Sequence, residues 1–324
     1  MKKILAIFVL SVSLLATGIV LVDIKKTVTQ SDVSKKEKKS MFKEVNDPII
    51  LEDNFQSGLE KWKIAINEPE NRINLDTDTI SQRVHIVDAP DMTRNYKAVQ
   101  FVVPHSQGQF RSEIAQPYEE GFHERWYSAR IYIPQDWVFD KSSGNDIVMQ
   151  WHAVLGSERV DRDFPELAIA VEGDRWNIQR AFGSPANIGR DFKTLDGLVQ
   201  KGVWSSWVIY ARWSAGSEGL LRIWKDGKVV WEVQGPNAYT TRARTPYLKI
   251  GLYHPQWKPK YGEVKPGPVK ERKIFITDVK IGNEKATYQG MVTKSDSLEK
   301  GKQISGTSGS SSSIGTLIRS FSAK

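Results

Sequence analysis

The chain has 324 residues and a formal net charge of +8 at pH 7, and 40% of its residues are hydrophobic. It is long enough to bury a sizeable core as one large domain or as two ordinary ones. It has no cysteine, which excludes disulfides, thiolate metal sites and cysteine nucleophiles, and its excess of basic residues favours an anionic partner.

The first segment of the chain is typical of exported proteins. Lys2 and Lys3 precede an uncharged run, Ile4–Val22, which is long enough for the hydrophobic region of a signal peptide and just long enough to cross a bilayer. Residues 1–22 therefore predict a signal peptide or a membrane anchor. We expect a secreted or periplasmic protein, which this segment holds at the membrane if it is not cleaved. Residues 23–46 are polar and rich in lysine, and they predict a solvated linker.

Residues 47–290 are predicted to form the folded part, built from short strands. Apolar and polar residues alternate between turn residues, and helical periodicity is scarce. The strongest turn signal is Asp226-Gly227, which predicts a tight hairpin. The pattern predicts an all-β, antiparallel β-sandwich whose curved sheet forms a concave substrate groove.

Three further segments are expected to lie outside the regular strands. Residues 187–201 and 255–270 lack regular patterning and are expected to form loops at the rim of the groove. Residues 291–324 are rich in serine, glycine and lysine and predict a disordered tail.

Three predicted strands each place polar side chains on one face. Because side chains alternate between the faces of a strand, Gln150 and His152 point away from the face of Trp151. By the same rule Arg111 and Glu113 share a face. A third strand has on one face Tyr247, Lys249, Gly251 and Tyr253. If the three strands share a sheet, we expect one polar face that combines cations, an amide, an imidazole and phenols.

These side chains suit the removal of a proton beside a carboxylate and the expulsion of a sugar oxygen. Arg111 and Gln150 would neutralise the carboxylate and stabilise the charge that develops next to it. Tyr253 and His152 can both transfer protons. The sequence leaves open which of the two is the base.

The order of the motifs R-x-E, Q-x-H and Y-x-K-x-G-x-Y resembles the jelly-roll polysaccharide lyases, which cleave uronic-acid polymers and include alginate and glucuronan lyases. The resemblance spans roughly residues 47–290. The segment Trp204–Tyr253 and the closing Phe275–Gly282 look most like the glucuronan lyase type. Trp151 departs from the alginate lyase pattern, which has Ile or Val at this place, and this argues against alginate as the substrate.

The resemblance implies a concanavalin-like jelly roll that acts by β-elimination and leaves unsaturated uronate ends. It implies catalytic roles for Arg111, Gln150, His152 and Tyr253, and a substrate contact for Lys249. Further candidates for substrate binding are Glu113, Tyr247, Trp257 and Lys258, of which Glu113 is expected to orient Arg111.

No cofactor is expected to be required. Asp53 near the start of the fold and Asp278 in the closing strand resemble a structural calcium site of sandwich folds, because carboxylate oxygens suit this ion. The expected partner is an anionic polysaccharide and not nucleic acid, since no nucleic-acid-binding motif is present. We expect the protein to be a monomer.

Two other functions stay open from the sequence. A glycoside hydrolase needs two carboxylates that flank the scissile bond, and no pair of Asp or Glu residues stands at a spacing of two on a well-marked strand. A carbohydrate-binding protein without catalytic activity could use the same polar face to hold an anionic glycan.

Overall fold

The structure is a computed structural model, which describes residues 47–66, 77–92, 95–106, 108–117, 119–141, 144–153, 164–184, 187–240 and 244–292. The predicted export segment, the predicted linker and residues 293–324 of the predicted tail lie outside these ranges. Within the described residues, no helix is long and apolar enough to span a membrane.

Most of the described chain is β-strand. In chain order the strands are β1 (Ile49–Asp53), β2 (Lys63–Ile66), β3 (Val84–Asp88), β4 (Lys97–Pro104), β5 (Arg111–Ala115), β6 (Glu119–Glu120), β7 (Glu124–Tyr132), β8 (Asn145–His152), β9 (Leu167–Glu172), β10 (Arg175–Ser184), β11 (Asn187–Thr194), β12 (Trp204–Arg212), β13 (Leu220–Lys225), β14 (Lys228–Gln234), β15 (Arg244–Thr245), β16 (Tyr247–Tyr253) and β17 (Glu271–Gly282). The helical elements of this part are α1 (Thr77–Arg83), α2 (Tyr288–Met291) and the 3-10 turns Pro255–Trp257 and Pro259–Tyr261.

The strands form two large antiparallel sheets. The eight-stranded sheet has the order β14-β13-β12-β7-β17-β4-β3, with β1 also paired to β17, and the seven-stranded sheet has the order β11-β10-β9-β8-β16-β5-β2. Strands β15 and β6 form a separate small ribbon. Neighbours in these orders are often distant in sequence, which is typical of a jelly roll and not of a meander. The predicted antiparallel sandwich is confirmed.

The core lies between the two large sheets and is rich in aromatic rings. Trp151 of the seven-stranded sheet packs edge-on against Tyr127 of the eight-stranded sheet, with ring centroids 5.3 Å apart. Trp176 and Trp207 make the same kind of contact at 5.1 Å. Such pairs add to the large apolar area that each ring buries. Since Trp151 points into the core, its sequence neighbours Gln150 and His152 must point to the opposite face of their sheet.

Local sequence explains the clearest turn. Asp226 and Gly227 connect β13 to β14 and have φ angles of 51° and 80°. A two-residue hairpin of this type needs positive φ at both positions, and Asp-Gly supplies it at low cost. The Asp226 carboxylate also accepts a hydrogen bond from the backbone N–H of Ser206 at 2.8 Å. The hairpin predicted from the sequence is confirmed.

Two segments differ from the prediction. Part of the expected rim loop 187–201 is strand β11, which pairs with β10 along its whole length at the edge of the seven-stranded sheet. Its exposed residues lack the alternation that marks a half-buried strand. Met291, where the disordered tail was predicted to begin, ends helix α2 and is fully buried in a cluster with Val208 and Ala286.

Candidate active site

The three strands that carry the sequence motifs are neighbours. Strand β16 lies between β8 and β5 in the seven-stranded sheet. In the register, Lys249 of β16 lies opposite Gln150 of β8, while Tyr253 of β16 lies opposite Arg111 of β5. The prediction that the motifs share one sheet and one face is confirmed, and we call this set of side chains the polar face.

A buried carboxylate joins the two outer strands of the polar face. Glu113 is fully buried. Its Oε1 atom accepts a hydrogen bond from Gln150 Nε2 at 2.6 Å, and its Oε2 atom lies 3.2 Å from Arg111 Nε. The prediction that Glu113 orients Arg111 fits this geometry. Its side chain is fully buried and its two oxygen atoms face Gln150 and Arg111, so its alternative role as a direct substrate contact stays a prediction without support from this geometry.

Tyr253 lies among cations at one end of the polar face. The Arg111 guanidinium is 4.5 Å from the centroid of its ring, and Lys258 Nζ is 5.1 Å from it. Phe110 packs edge-on against the same ring at 6.3 Å. These contacts hold the phenol in place and surround it with positive charge. Lys258, predicted as a substrate contact, is therefore at the site, in the segment that follows β16.

His152 lies at the other end of the polar face, opposite Tyr247. Its Nδ1 atom is 2.9 Å from the carbonyl oxygen of Ala153. A carbonyl only accepts hydrogen bonds, so this contact assigns the proton to Nδ1. Tyr247 is half-buried, and the Lys249 ammonium lies 5.2 Å from its ring centroid.

The polar face is longer than the sequence suggested. Tyr247 and Tyr253 are six positions apart on β16, a contour of about 20 Å at the usual rise of a strand. His152 pairs with the first and Arg111 with the second. The sequence analysis assigned these side chains to a single elimination reaction. They share a face, but Arg111 and Tyr253 lie at one end of it and His152 at the other.

Gly251 interrupts the regular pairing beside Tyr253. The register of β16 against β8 shifts between Ile250 and Tyr253, and Gly251 has a φ of 135°. A Cβ atom at this position would lie 2.3 Å from the carbonyl oxygen of Ser112. The irregularity bends the strand and changes the direction of the next side chains. It explains why glycine stands within the Y-x-K-x-G-x-Y motif.

Arg83 supports Arg111 and was missed by the sequence analysis. It donates hydrogen bonds to the carbonyl oxygens of Val102 at 2.6 Å and Arg111 at 2.8 Å. Ser112 Oγ donates in turn to the Arg83 carbonyl at 2.7 Å. Burial lowers the pKa of Arg83 to about 10, so the side chain stays charged at neutral pH. A single arginine at the end of a short helix carries no motif that could have revealed this role.

A second buried ion cluster lies directly behind Tyr253, on the core side of the sheet. Asp146 Oδ1 is 2.8 Å from His254 Nδ1, and Asp146 Oδ2 is 2.9 Å from Arg272 Nε. All three side chains are buried. His254 follows Tyr253 in the chain, and its side chain points to the core side, where it contacts Asp146. The sequence did not predict this buried contact.

Trp257, predicted to bind substrate, packs against two histidine rings beside the site. Its ring stacks on His105 at a centroid distance of 4.5 Å and contacts His254 at 4.1 Å. Only 4% of its surface is exposed, and a contact between its ring and a sugar stays a prediction. It anchors the start of the segment that carries Lys258.

The two carboxylates predicted to hold calcium are bound by protein donors. Asp53 accepts hydrogen bonds from the Phe55 backbone N–H at 2.8 Å and from Trp62 Nε1 at 2.9 Å. Asp278 accepts one from the Tyr96 hydroxyl, and Arg130 Nη1 lies 3.9 Å from its Oδ2 atom. Within the described residues no group of three or more His, Asp or Glu side chains could hold a metal ion. Because protein N–H and O–H groups already bind the two carboxylates, this geometry does not support a calcium ion there, and the calcium stays a prediction.

Comparison with known proteins gives a family and a fold. A family model described as polysaccharide lyase matches residues 58–280. Among solved structures, the endo-β-1,4-glucuronan lyase of the fungus Trichoderma reesei is similar, with 17% identity, a TM-score of 0.56, and coverage of 72% of this chain and 95% of that chain. An alginate lyase of polysaccharide lyase family 7 overlays with 16% identity and a TM-score of 0.44, over 70% of this chain and 95% of that chain. A comparison with curated protein sequences gives no match.

Proposed function

The chain belongs to the polysaccharide lyase family, and on that premise we propose that it cleaves a polymer of uronic acids, of the glucuronan type, by β-elimination at the Arg111 and Tyr253 end of the polar face. The cationic character of this end supports a uronate in preference to a neutral sugar. The uncharged run Ile4–Val22 supports a location outside the cytoplasm for the protein and its polymer.

One observation carries the proposal: buried Glu113 fixes Arg111 and Gln150 on the face that also presents Tyr253. A uronate resists loss of its C5 proton because the product carbanion would add a second negative charge next to the carboxylate. Donors that are already in position lower that cost without reorganisation. Arg111 can bind the carboxylate through its planar guanidinium, and Gln150 can donate from its amide.

The proton transfers are assigned to Tyr253. The carboxylate held by Arg111 is attached to C5, so the base must lie close to Arg111, and Tyr253 is its partner across the strands. The phenolate removes the C5 proton, the electron pair forms the C4–C5 double bond, and the bond from C4 to the glycosidic oxygen breaks. The proton taken by Tyr253 then passes to the departing oxygen.

His152 is assigned to the neighbouring sugar unit. It lies at the far end of the polar face, opposite Tyr247, and its Nε2 atom can accept a hydrogen bond from a sugar hydroxyl. The assignment can be tested by kinetics, because loss of His152 should weaken substrate binding more than it lowers kcat.

The test follows the ultraviolet absorbance of the unsaturated uronate in mixtures with glucuronan, alginate, hyaluronan and heparin. We expect turnover of glucuronan, and a loss of at least about 100-fold in kcat for Tyr253→Phe with binding nearly unchanged. Tyr261→Phe is a matched control, because Tyr261 follows in the same segment and is 62% exposed. A Tyr253→Phe variant with the rate of the unaltered enzyme would remove Tyr253 from the mechanism, and the absence of the chromophore with every polymer would refute uronate elimination.

A further inference from the structure

The edge of the seven-stranded sheet carries an exposed cation held between two aromatic rings. The Arg190 guanidinium on β11 lies 3.8 Å from the ring centroid of Phe164 and 4.6 Å from that of Phe192. Arg190 Nη2 donates to Gln179 Oε1 at 2.6 Å. Arg190 is exposed, and Phe192 has 55% of its surface exposed. We call Arg190, Phe192 and Gln179 the edge cluster.

The edge cluster lies on the same face of the sheet as the candidate active site. Gln150 of β8 pairs with Ala168 of β9, Ala168 pairs with Gln179 of β10, and Gln179 pairs with Phe192 of β11. Residues opposite one another across strands point to the same side. These paired residues therefore form a row across the strands that runs from Gln150 of the polar face to Phe192. On the other side of Gln150 the row continues to Lys249.

The distance between the two sites suits a polymer. Strand β11 is four strand positions from β16, which carries Tyr253, and at the usual spacing this corresponds to about 19 Å across the strands. A chain of several sugar units that crosses the strands can contact both sites at once, whereas a single sugar cannot.

The chemistry of the edge cluster fits a charged sugar. A guanidinium binds a carboxylate through two parallel N–H donors, and the two rings together with Gln179 hold this one in a fixed orientation. An exposed phenylalanine at the edge of a sheet carries a risk of aggregation. Its ring next to a fixed cation gives an apolar surface on which the C–H face of a pyranose can pack.

We propose that Arg190 and Phe192 form a remote subsite for a second uronate unit of the polymer that the polar face cleaves. This proposal rests on the proposed uronate substrate. The remote subsite contacts no reacting atom, so it binds the ground state and the transition state equally and lowers KM without raising kcat. It also favours long chains over short ones, because only a long chain reaches it.

The test compares the long polymer with the shortest oligosaccharide that the enzyme cleaves. Arg190→Ala and Phe192→Ala should each raise KM for the polymer about tenfold, as expected for the loss of one charged or one stacking contact. Their kcat values should stay within about twofold, and neither constant should change for the shortest substrate. Arg190→Lys should recover part of the loss, since it keeps the charge and loses the planar fork.

Arg222→Ala is the control for the loss of an exposed arginine. Arg222 pairs with Glu232 on the eight-stranded sheet, whereas the edge cluster lies on the seven-stranded sheet. Thermal unfolding of each variant checks that the fold is kept. An unchanged KM for the polymer in Arg190→Ala, or an equal change with the shortest substrate, would overturn the remote subsite while leaving the lyase proposal intact. If the unaltered enzyme releases no unsaturated uronate from any polymer, the proposed substrate fails first and the remote subsite fails with it.

Discussion

At the scale of single residues, Glu113 fixes the geometry of the site because it contacts both Gln150 and Arg111. A carboxylate without solvent is costly unless its charge and hydrogen-bonding capacity are matched. Here one oxygen atom accepts from Gln150 and the other faces Arg111. The pairing constrains both donors at once, and neither donor has to rearrange when a substrate carboxylate arrives. Glu113 is therefore a positioning residue and not a group that touches the sugar.

Substitution of Glu113→Gln should reduce kcat about 100-fold and lower the free energy of unfolding by about 3 kcal/mol, because it leaves Arg111 buried without its counter-charge. Measurement of kcat well below the unfolding temperature gives the first effect without the second. Urea titration gives the loss in the free energy of unfolding. Glu232→Gln is the matched control: the Glu232 and Arg222 side chains are 44% and 42% exposed, and such surface pairs contribute little to stability. A Glu113→Gln enzyme with normal kcat would show that the orientation of Arg111 does not depend on this carboxylate.

Among the elements, β16 determines how the site is arranged, because it separates and aligns the two strands that carry Arg111 and Gln150. Its alternating pattern is a local property, and the sequence predicted its face and its partners correctly. The bulge at Gly251 was not predicted, since it depends on how closely β5 approaches. Arg83 and Asp146 were also missed, because their contacts join residues far apart in sequence and no short motif records them.

Substitution of Gly251→Ala should destabilise the protein by about 3 kcal/mol or more and reduce kcat, because it adds a backbone clash to an unfavourable φ angle. The new Cβ atom would lie 2.3 Å from the Ser112 carbonyl oxygen and 2.7 Å from Glu113 Cα. Any relief must move β16 or β5, and with them Tyr253 or Arg111.

Gly262→Ala is the control that separates the clash from the φ angle. Gly262 has a φ of 98° and nothing within 4 Å of a built Cβ atom. The Gly262→Ala substitution should lower the free energy of unfolding only by the backbone strain, about 1 kcal/mol, and leave kcat unchanged. Equal losses of stability in the two variants, measured by urea unfolding, would show that the close approach of β5 is not what requires glycine at position 251.

On the scale of the whole molecule, the two large sheets are joined by charge as well as by the aromatic core. Asp146 lies on β8 of the seven-stranded sheet, and Arg272 lies on β17 of the eight-stranded sheet. The Arg272 guanidinium also stacks over Trp137 at 4.6 Å, and its Nη1 atom donates to the Val138 carbonyl at 2.6 Å. The buried pair therefore connects the two sheets directly behind Tyr253, and His254 ties the end of β16 to the same carboxylate.

Removal of the Asp146 charge should lower both the stability of the sandwich and kcat. Asp146→Asn keeps the shape of the side chain but leaves Arg272 buried without a counter-charge, so we expect a loss of about 3–5 kcal/mol in the free energy of unfolding. Because His254 follows Tyr253 and contacts Trp257, kcat should fall as well, but less than in Tyr253→Phe, in which the phenol is absent. Asp136→Asn is the control. Asp136 pairs at 3.8 Å with Lys273, which follows Arg272 on β17, but the Asp136 side chain is 76% exposed. Urea unfolding and kcat at low temperature measure the two losses. If Asp146→Asn matched the unaltered enzyme in both, the packing of the aromatic core alone would hold the sheets and Tyr253 in place.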